Sequence, residues 1–203
     1  MLYKFFFKRT LDIFFSITVL IALFPLMLTL ITIVFFEFKG PIFFVQERAG
    51  KNGKSFKMIK FRTMIEDFKQ KGLTEENAIS GLGNFLRKTS LDEIPEFFNI
   101  LIGNMSIIGP RPLLLKYVPL YNNEHKKRLD VKPGLTGLAQ VSGRNGLSWS
   151  QRFDLDIKYV NSLSMKEDIK IFIRTFYVVL SSKNIKSSNN EHMSEFIGYE
   201  DER

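Results

Sequence analysis

The sequence predicts an α+β protein that is mainly helical and is attached to a membrane by one proline-broken helix. Three features favour this fold class: a long uncharged apolar run, two strand-like runs separated by a turn, and several runs with helical spacing of apolar residues. A length of 203 residues fits one compact domain. We expect the membrane helix and its flanks within residues 1–40, the domain within 41–180, and a polar tail within 181–203.

The apolar run extends from Ile13 to Phe36, with Pro25 near its midpoint. A straight helix of this length would cross the ~30 Å hydrocarbon core of a bilayer. Proline lacks a backbone N–H and crowds the preceding turn, so we expect a break there, with Thr18 and Thr29 helping to satisfy the freed carbonyls. Basic residues flank both ends, and both ends therefore favour the cytoplasm. A kinked span and a helix that re-enters the same face both fit, whereas the length argues against a signal peptide.

The composition restricts the chemistry available to the domain. A formal net charge of +8 favours anionic partners, namely lipid, nucleic acid or phosphorylated small molecules. The absence of cysteine excludes disulfides and thiolate metal sites. His125 and His192 lie far apart in the sequence, which argues against a zinc site or a histidine triad. An enzyme built on this chain would therefore use carboxylates, arginines and a hard metal ion.

Strand and helix signals follow the apolar run. The runs Pro41–Ala49 and Ser55–Met64, joined by GKNGK, predict a β-hairpin. Residues 66–83 are polar and glycine-bearing, which indicates a loop or short helix. The segment Lys132–Asn145 is rich in glycine and is expected to be irregular. Helices are predicted at about Ser90–Leu101, Leu113–Val131, Ser148–Asn161 and Lys166–Leu180.

The first candidate functional segment is RKTSLDEIP, at residues 87–95. Pro95 is tolerated only near a helix start, so Asp92 and Glu93 are expected in a first turn whose free N–H groups attract anions. Ser90 and Glu93 also match the S-x-x-E capping box, and a purely structural role therefore stays open. Adjacent carboxylates lie about 100° apart on a helix. They would divide the work, one attacking and the other holding a cation.

The second candidate segment is GNMSIIGPRP, at residues 103–112. Pro110 and Pro112 fix the backbone on either side of Arg111. A guanidinium held in this way is ready for bidentate contact with phosphate. The alternative is a surface turn with a solvated arginine.

The third candidate segment is Lys132–Asn145. Gly134, Gly137 and Gly143 would allow a ligand to approach the backbone closely, and Arg144 is placed to reach an anionic oxygen. Glycine-rich loops are weak signals alone, and the sequence has no Walker or dinucleotide-binding fingerprint.

Taken together in chain order, these segments resemble the bacterial sugar transferase family. Its members are the monotopic phosphoglycosyl transferases that begin lipid-linked glycan assembly. The resemblance extends from Lys8 to about Leu180, and this chain is similar to the smallest form of the family, a catalytic domain with its membrane helix. The segments that carry it are Lys8-Arg9 with Asp12, FFVQER (43–48), KFRTM (60–64), SLDEIP (90–95), GPRP (109–112), KPGLTG (132–137) and QVSGRN (140–145).

The resemblance implies a specific reaction. A phospho-sugar passes from a UDP-sugar to undecaprenyl (polyprenol) phosphate, UMP is released, and a covalent aspartyl phospho-sugar forms on the way. Asp92 matches the family's nucleophile and Glu93 its Mg²⁺-binding partner, with Asp92 beside the ion. A carboxylate can attack a diphosphate only if the negative charge is neutralised. The residues assigned to phosphate or substrate binding are Arg87, Arg111, Arg144, Lys60, Arg62 and Gln140.

The resemblance also implies a location. The helix broken at Pro25 would re-enter the cytoplasmic face of the bacterial inner membrane, with Lys8, Arg9 and Asp12 at its start and membrane lipid as a partner. This chain has Phe24 where the family commonly has serine before the proline. Nucleic acid is not an expected partner, and an oligomer is compatible with the sequence. Two other classes of protein stay open: a membrane-tethered nucleic-acid binder and a non-catalytic scaffold. Salt-sensitive binding of oligonucleotide without turnover of nucleotide sugars would favour the first. Absence of turnover on any nucleotide sugar would favour the second.

Overall fold

Two pairs of short strands separate three groups of helices along the part of the chain that the computed structural model describes. The structure describes residues 3–65, 68, 70, 72, 74–143, 146–181 and 195–199. The helices in this part are Lys8–Ala22 (α1), Phe24–Phe38 (α2), Glu75–Ala78 (α3), Gly81–Thr89 (α4), Glu96–Leu101 (α5), Leu138–Ser142 (α6), Trp149–Ser162 (α7) and Met165–Ser181 (α8). The strands are Phe43–Ala49 (β1), Ser55–Phe61 (β2), Ser106–Ile108 (β3) and Gly134–Thr136 (β4). Short 3-10 turns cover Lys51–Gly53, Leu91–Glu93, Leu115–Leu120 and His125–Asp130.

The apolar run forms two helices that are separated at Leu23 and bent by 64°. Among the described helices, none is by itself long and apolar enough to cross a membrane, whereas α1 and α2 together meet that requirement by length and composition. Pro25 lies in the first turn of α2, where its missing N–H leaves no helical bond unmade. The predicted break at Pro25 is therefore confirmed.

The predicted role of the two threonines at this break is wrong. The Thr18 hydroxyl donates to the Phe14 carbonyl at 2.9 Å, and the Thr29 hydroxyl donates to the Pro25 carbonyl at 3.1 Å. Each side chain thus bonds one turn back within its own helix, as threonine commonly does. Neither hydroxyl reaches a carbonyl that the break leaves open.

One face of the helix pair belongs to the core of the domain. On α1, the Phe15 ring contacts the rings of Phe97 and Phe172, in α5 and α8. The opposite faces leave large apolar side chains exposed, among them Phe14 and Phe36. Exposed apolar surface of this kind marks contact with lipid or another protein. The core residues shared between α2 and the domain are Met27, Leu30, Val34, Phe61, Leu86 and Ile94.

The predicted β-hairpin is confirmed, with shorter strands than expected. Strands β1 and β2 pair antiparallel from Phe43 with Phe61 to Ala49 with Ser55. After Phe61 the chain leaves the hairpin, because Thr63 turns towards the start of α4 and its carbonyl accepts a hydrogen bond from the Ser80 N–H. α5 is held on β2 by the buried Asn99 amide. Its oxygen accepts from the Ile59 N–H at 3.0 Å, and its nitrogen donates to the Lys57 carbonyl at 2.7 Å.

The segment between Leu113 and Asn145 differs from its prediction. The expected helix over Leu113–Val131 is wrong: two short 3-10 turns form instead, and the first of them contains Pro119. A proline there removes a backbone donor and prevents a long α-helix. In the segment that was predicted to be irregular, β4 pairs parallel with β3, and α6 follows.

Backbone packing explains two of the glycines in this segment. A Cβ on Gly134 would lie 2.1 Å from the Gly109 nitrogen, and a Cβ on Gly137 would lie 2.1 Å from the Gly109 carbonyl oxygen. Any side chain would therefore force the two loops apart. At these two positions the close approach is between backbones, not to a ligand as predicted.

The two C-terminal helices match their predictions closely. α7 begins after Ser148, whose side chain and that of Gln151 form a reciprocal capping box. α8 runs from Met165 to Ser181. Of the polar tail predicted over 181–203, the described part contains Ser181, which ends α8, and residues 195–199. The mainly helical α+β class with a small hairpin is therefore confirmed, while the proposed domain limits stay predictions.

Candidate active site

The two candidate catalytic acids sit in a sharp turn between helices. α4 ends at Thr89, and its C-cap residue Ser90 has a φ of 58°, in the left-handed region. A 3-10 turn over Leu91–Glu93 follows before Pro95 caps α5. The single helix expected from Ser90 to Leu101 is therefore wrong. The capping box does not form, because a capping residue needs extended backbone and the Ser90 side chain makes no capping hydrogen bond. The capping-box explanation of the motif is therefore wrong.

Close packing of α4 brings Arg87 to the site. A Cβ on Gly83 would lie 2.0 Å from the Thr63 carbonyl oxygen, so only glycine permits this approach. One turn later the Arg87 Nε donates to the Thr63 hydroxyl at 2.9 Å. Arg87 is also close enough to Asp92 for its charge to lower the pKa of that carboxyl.

Asp92 is a buried carboxyl with no hydrogen-bond or ion-pair partner among the described residues. It is 8 % exposed. Burial raises its pKa above the ordinary value, and the Glu93 charge adds to this, although Lys60, Arg87 and Arg111 act in the opposite direction. A buried carboxylate without partners is costly. The arrangement therefore leaves the Asp92 oxygens available to a ligand.

Glu93 lies next to Asp92 in a network of charges. Lys60 Nζ approaches Glu93 Oε1 at 2.6 Å and Glu96 Oε1 at 3.0 Å, while Arg111 Nη2 donates to Glu93 Oε1 at 3.0 Å. Burial tends to raise the pKa of Glu93, but Arg111 and Lys60 outweigh it and lower that pKa to about 2. Glu93 is therefore ionised at neutral pH.

Three successive carbonyls fix the loop that carries Arg111. The Pro110 carbonyl accepts from the Gly134 N–H at 2.9 Å, and the Arg111 carbonyl accepts from Arg128 Nη2 at 2.7 Å. The Pro112 carbonyl has a longer contact, 3.5 Å, with Arg48 Nη1. Arg111 itself is 44 % exposed on its side chain. The backbone is thus rigid while the guanidinium faces outwards, as expected for anion binding.

Sequence reasoning missed several charged groups of this site. Glu96 follows Glu93 by three residues, a helical spacing that allows both carboxylates to contact the Lys60 ammonium group. Arg128 and Asp156 form a buried ion pair with an Nη2–Oδ2 distance of 2.8 Å beneath the Arg111 loop. No local pattern signals a pair 28 residues apart, whereas the spacing of Glu96 from Glu93 was visible in the sequence.

The residues at the start of α1 are tied to the domain. Lys8 Nζ lies 2.6 Å from Asp168 Oδ2. Arg9 donates to the carbonyls at the end of α5, at 2.6 Å and 2.8 Å. Asp12 is buried and accepts from the Ser106 hydroxyl and the Ile107 N–H at 3.1 Å and 3.0 Å. All three side chains therefore join the helix to the domain.

The other predicted binding residues are spread more widely. Arg62 lies over the Phe38 ring at 5.1 Å and donates to the Met64 carbonyl, at the junction of α2 and β2. Both polar atoms of the Gln140 amide are buried without a hydrogen-bond partner in the described part of the chain. Arg144 lies outside the described residues. The roles assigned to all of these residues stay predictions.

Asp92 and Glu93 offer oxygen ligands of the kind that Mg²⁺ prefers. The described residues contain no group of three or more His, Asp or Glu side chains arranged to hold a metal. Mg²⁺, however, commonly uses one or two protein carboxylates, with substrate phosphate and water completing its shell. Lys60 and Arg111 both contact Oε1 of Glu93, and Asp92 has the free oxygens described above. The donor set therefore fits a substrate-dependent Mg²⁺ site.

Glu96, the second carboxyl group that contacts Lys60, is expected to make the stability of the protein depend on pH. Burial and the Glu93 charge raise the pKa of Glu96 from its ordinary 4.5 to about 7, with Lys60 opposing. Between pH 4.5 and 7, the folded protein keeps a proton on Glu96 that the unfolded chain has released. The contribution of this group to the free energy of unfolding is therefore complete below pH 4.5 and is lost as the pH rises through 7. Relative to Glu96→Gln, the wild-type free energy of unfolding should fall by up to about 3 kcal/mol between pH 5 and 8.

Thermal unfolding in EDTA at pH 5, 6, 7 and 8 measures this difference. Glu47→Gln, at an exposed position on β1, is the matched control and should follow the wild type at every pH. Parallel pH profiles for the wild type and Glu96→Gln would show that Glu96 does not titrate in this range.

Comparison with known proteins places the chain in a family. The sequence model described as Bacterial sugar transferase matches residues 3–182. The chain is 40 % identical to the sugar transferase EpsL of Bacillus subtilis, over 94 % of this chain and 96 % of EpsL. It is 39 % identical to the undecaprenyl-phosphate galactose phosphotransferase of Salmonella typhimurium, over 86 % of this chain and 40 % of that protein. It is 38 % identical to the UDP-glucose:undecaprenyl-phosphate glucose-1-phosphate transferase of Klebsiella pneumoniae, over 84 % of this chain and 39 % of that protein.

The similarity to EpsL extends over almost the full length of both proteins, whereas the chain spans about two fifths of the Salmonella and Klebsiella enzymes. The family match begins before the ties of α1 to the domain and continues through α8. It includes the acid pair, the Arg111 loop and the segment that contains Gln140. The chain therefore belongs to the bacterial sugar transferase family and is a transferase.

Proposed function

We propose that this transferase moves a sugar phosphate from a UDP-sugar to undecaprenyl phosphate and releases UMP, as the first membrane step of assembling a glycan. The observation that carries the proposal is the Asp92 carboxyl, buried without a partner beside Lys60, Glu93 and Arg111. The reactions named for the Salmonella and Klebsiella relatives support the same class of donor and acceptor.

The proposed reaction has two displacements at one phosphorus atom. An Asp92 carboxylate oxygen attacks the phosphorus that bears the sugar, the bond to the bridging oxygen breaks, and that oxygen leaves with its electron pair on UMP. An oxygen of undecaprenyl phosphate then attacks the same phosphorus, and the bond to Asp92 breaks. The products are undecaprenyl diphosphate sugar and a regenerated carboxylate. Dividing the transfer in this way is the usual advantage of a covalent nucleophile.

Positive charge around Asp92 supports its role as a nucleophile. A carboxylate approaching a diphosphate meets strong repulsion unless fixed cations offset it. Lys60 and Arg111 already contact Glu93, and Arg87 is held beside Thr63. We assign these three residues to phosphate neutralisation and propose that Arg62, Gln140 and Arg144 contact the substrates from the surrounding segments.

Mg²⁺ is part of the proposal. Glu93, with Asp92 beside it, would hold the ion, which when bound supplies positive charge to the diphosphate. The protein residues perform the remaining work. Lys60 and Arg111 keep Glu93 ionised, and the rigid loop backbone holds the Arg111 guanidinium towards the anion.

We also propose a monotopic arrangement at the cytoplasmic face of the inner membrane, with α1 and α2 forming a re-entrant helix in contact with lipid. The 64° bend and the charged ties at the start of α1 support it. A topology experiment can use the absence of cysteine in the chain. Two variants, Lys4→Cys and Lys39→Cys, should both react with a membrane-impermeant maleimide in inside-out vesicles. Neither variant should react in intact spheroplasts. Labelling from opposite sides would show a transmembrane span.

The activity is tested with purified protein, Mg²⁺, undecaprenyl phosphate and a panel of UDP-sugars, with release of UMP as the readout. At least one UDP-sugar should give UMP release that depends on both the lipid acceptor and Mg²⁺. No release with any sugar would contradict the proposal and favour a non-catalytic scaffold. The same panel identifies the transferred sugar.

A further inference from the structure

Residues 195–199 pack against the domain, beyond the end of the family match at residue 182. Phe196 is 3 % exposed and lies in a cluster of aromatic rings from the 3-10 turn Leu115–Leu120, the following Tyr121 and α7. Its ring centroid is 5.1 Å from Phe153 and 5.5 Å from Trp149. Aromatic pairs at these distances stabilise packing beyond the area they bury.

Polar contacts hold the same segment at both ends. The Tyr199 hydroxyl lies 2.7 Å from His125 Nδ1 and accepts from the Asn122 N–H at 3.2 Å. Glu195 forms an ion pair with Lys116. These contacts reach the two 3-10 turns that precede β4, so the segment bridges the turn Leu115–Leu120 and the turn His125–Asp130.

A continuous set of contacts leads from Phe196 to the candidate active site. Phe196 packs on the rings of Tyr121 and Phe153, and these two rings lie 5.5 Å and 5.6 Å from the Arg128 guanidinium. Arg128 Nη1 donates to the Tyr121 hydroxyl at 3.2 Å, and its Nη2 donates to the Arg111 carbonyl. The Phe196 ring therefore packs on the two rings that contact Arg128, the residue whose side chain donates to the Arg111 carbonyl.

We propose that residues 195–199 form an intramolecular clasp that positions Arg111 for the diphosphate of the nucleotide sugar. The proposal rests on the proposed function for its substrate. Phe196 acts through Tyr121, Phe153 and Arg128 and is a positioning residue. Without the clasp, the Tyr121 and Phe153 rings that contact Arg128 become exposed to solvent, and the Arg111 loop becomes more mobile. We expect this change to weaken binding of the donor substrate more than it slows the chemical step.

The single tryptophan of the chain reports on docking of the clasp without any assay of activity. Trp149 contacts Phe196 directly, so Phe196→Ala should shift the Trp149 emission to longer wavelength and increase its quenching by acrylamide about twofold or more. Ile197→Ala is the matched control, since Ile197 is the next residue and is 64 % exposed. An unchanged Trp149 signal in Phe196→Ala would show that the clasp is not docked in solution.

Steady-state kinetics test the positioning role. Phe196→Ala should raise KM for the UDP-sugar about tenfold and change kcat per folded protein less than twofold, whereas Ile197→Ala should match the wild type. A merely structural effect would lower the folded fraction and the apparent kcat while leaving KM unchanged. Tyr199→Phe, which removes only the hydroxyl contacts, gives a milder variant with an expected two- to threefold increase in KM if Phe196→Ala folds poorly.

A double-mutant cycle links the clasp to Arg111. If Phe196 acts through Arg111, adding Phe196→Ala to Arg111→Lys should raise KM by less than twofold further, because the guanidinium that it positions is already gone. Independent, multiplicative effects would overturn the proposal. An active wild type whose KM is unaffected by Phe196→Ala would refute the clasp alone, whereas a wild type that releases no UMP would refute the proposed function.

Discussion

Asp92→Asn is expected to abolish UMP release, with a loss of at least about 1,000-fold in kcat. The substitution keeps the size and burial of the side chain but replaces the attacking carboxylate with a neutral amide, which cannot form the acyl phosphate. Incubation of the wild type with Mg²⁺ and a UDP-sugar, without lipid acceptor, should add the mass of one phospho-sugar to the protein. The variant should gain no such mass.

The stability of the variant distinguishes lost chemistry from lost folding. Because burial raises the pKa of Asp92, its ionised form destabilises the folded protein near neutral pH. Asp92→Asn removes that charge, so its melting temperature at pH 7.5 should equal or exceed that of the wild type. Asp130→Asn, at an exposed position, is the matched control and should keep full activity and labelling. Normal turnover by Asp92→Asn would show that another residue is the nucleophile.

Local patterns in the sequence were sufficient for the elements that depend on local physics. The apolar run with its proline predicts the bent helix pair, the GKNGK turn between strand-like runs predicts the hairpin, and the spacing of apolar residues predicts α7 and α8. In each case the controlling interactions lie within one or two turns of chain. The order of motifs also predicted the family, which the comparison confirms.

The remaining features depend on contacts between distant residues. Ser90 takes a left-handed conformation at the C-terminus of α4, a helix that packs on Thr63 through Gly83, and the S-x-x-E pattern gives no sign of this. Gly134 and Gly137 face the backbone of Gly109, a partner that only the folded structure reveals. The lack of a partner for Asp92 among the described residues is likewise a property of its tertiary surroundings, and the proposed role of Asp92 and Glu93 rests on it.

Arg128→Met should cause the largest loss of stability among the substitutions considered. Arg128 is 3 % exposed and donates to Asp156 through Nε at 3.0 Å and Nη2 at 2.8 Å. Removing the guanidinium leaves the Asp156 carboxylate buried and uncompensated, which typically costs about 3–5 kcal/mol. For a chain of this size, that corresponds to a decrease in melting temperature of about 10 °C. Thermal unfolding in detergent measures the decrease, with the exposed neighbour Lys127→Met as control.

The double variant Arg128→Met with Asp156→Leu distinguishes two contributions to stability. One is the cost of leaving the Asp156 carboxylate buried without a partner, and the other is the net stabilisation by the ion pair itself. Replacing both members of a buried ion pair with apolar residues is often close to neutral, so most of the lost melting temperature should return. The contact of Arg128 with the Arg111 carbonyl is still missing in the double variant. It should therefore fold well and yet bind the UDP-sugar several-fold more weakly than the wild type. A double variant as unstable as Arg128→Met would show that the contacts of Arg128 with Tyr121 and the Arg111 loop, and not its pairing with Asp156, hold this part of the domain together.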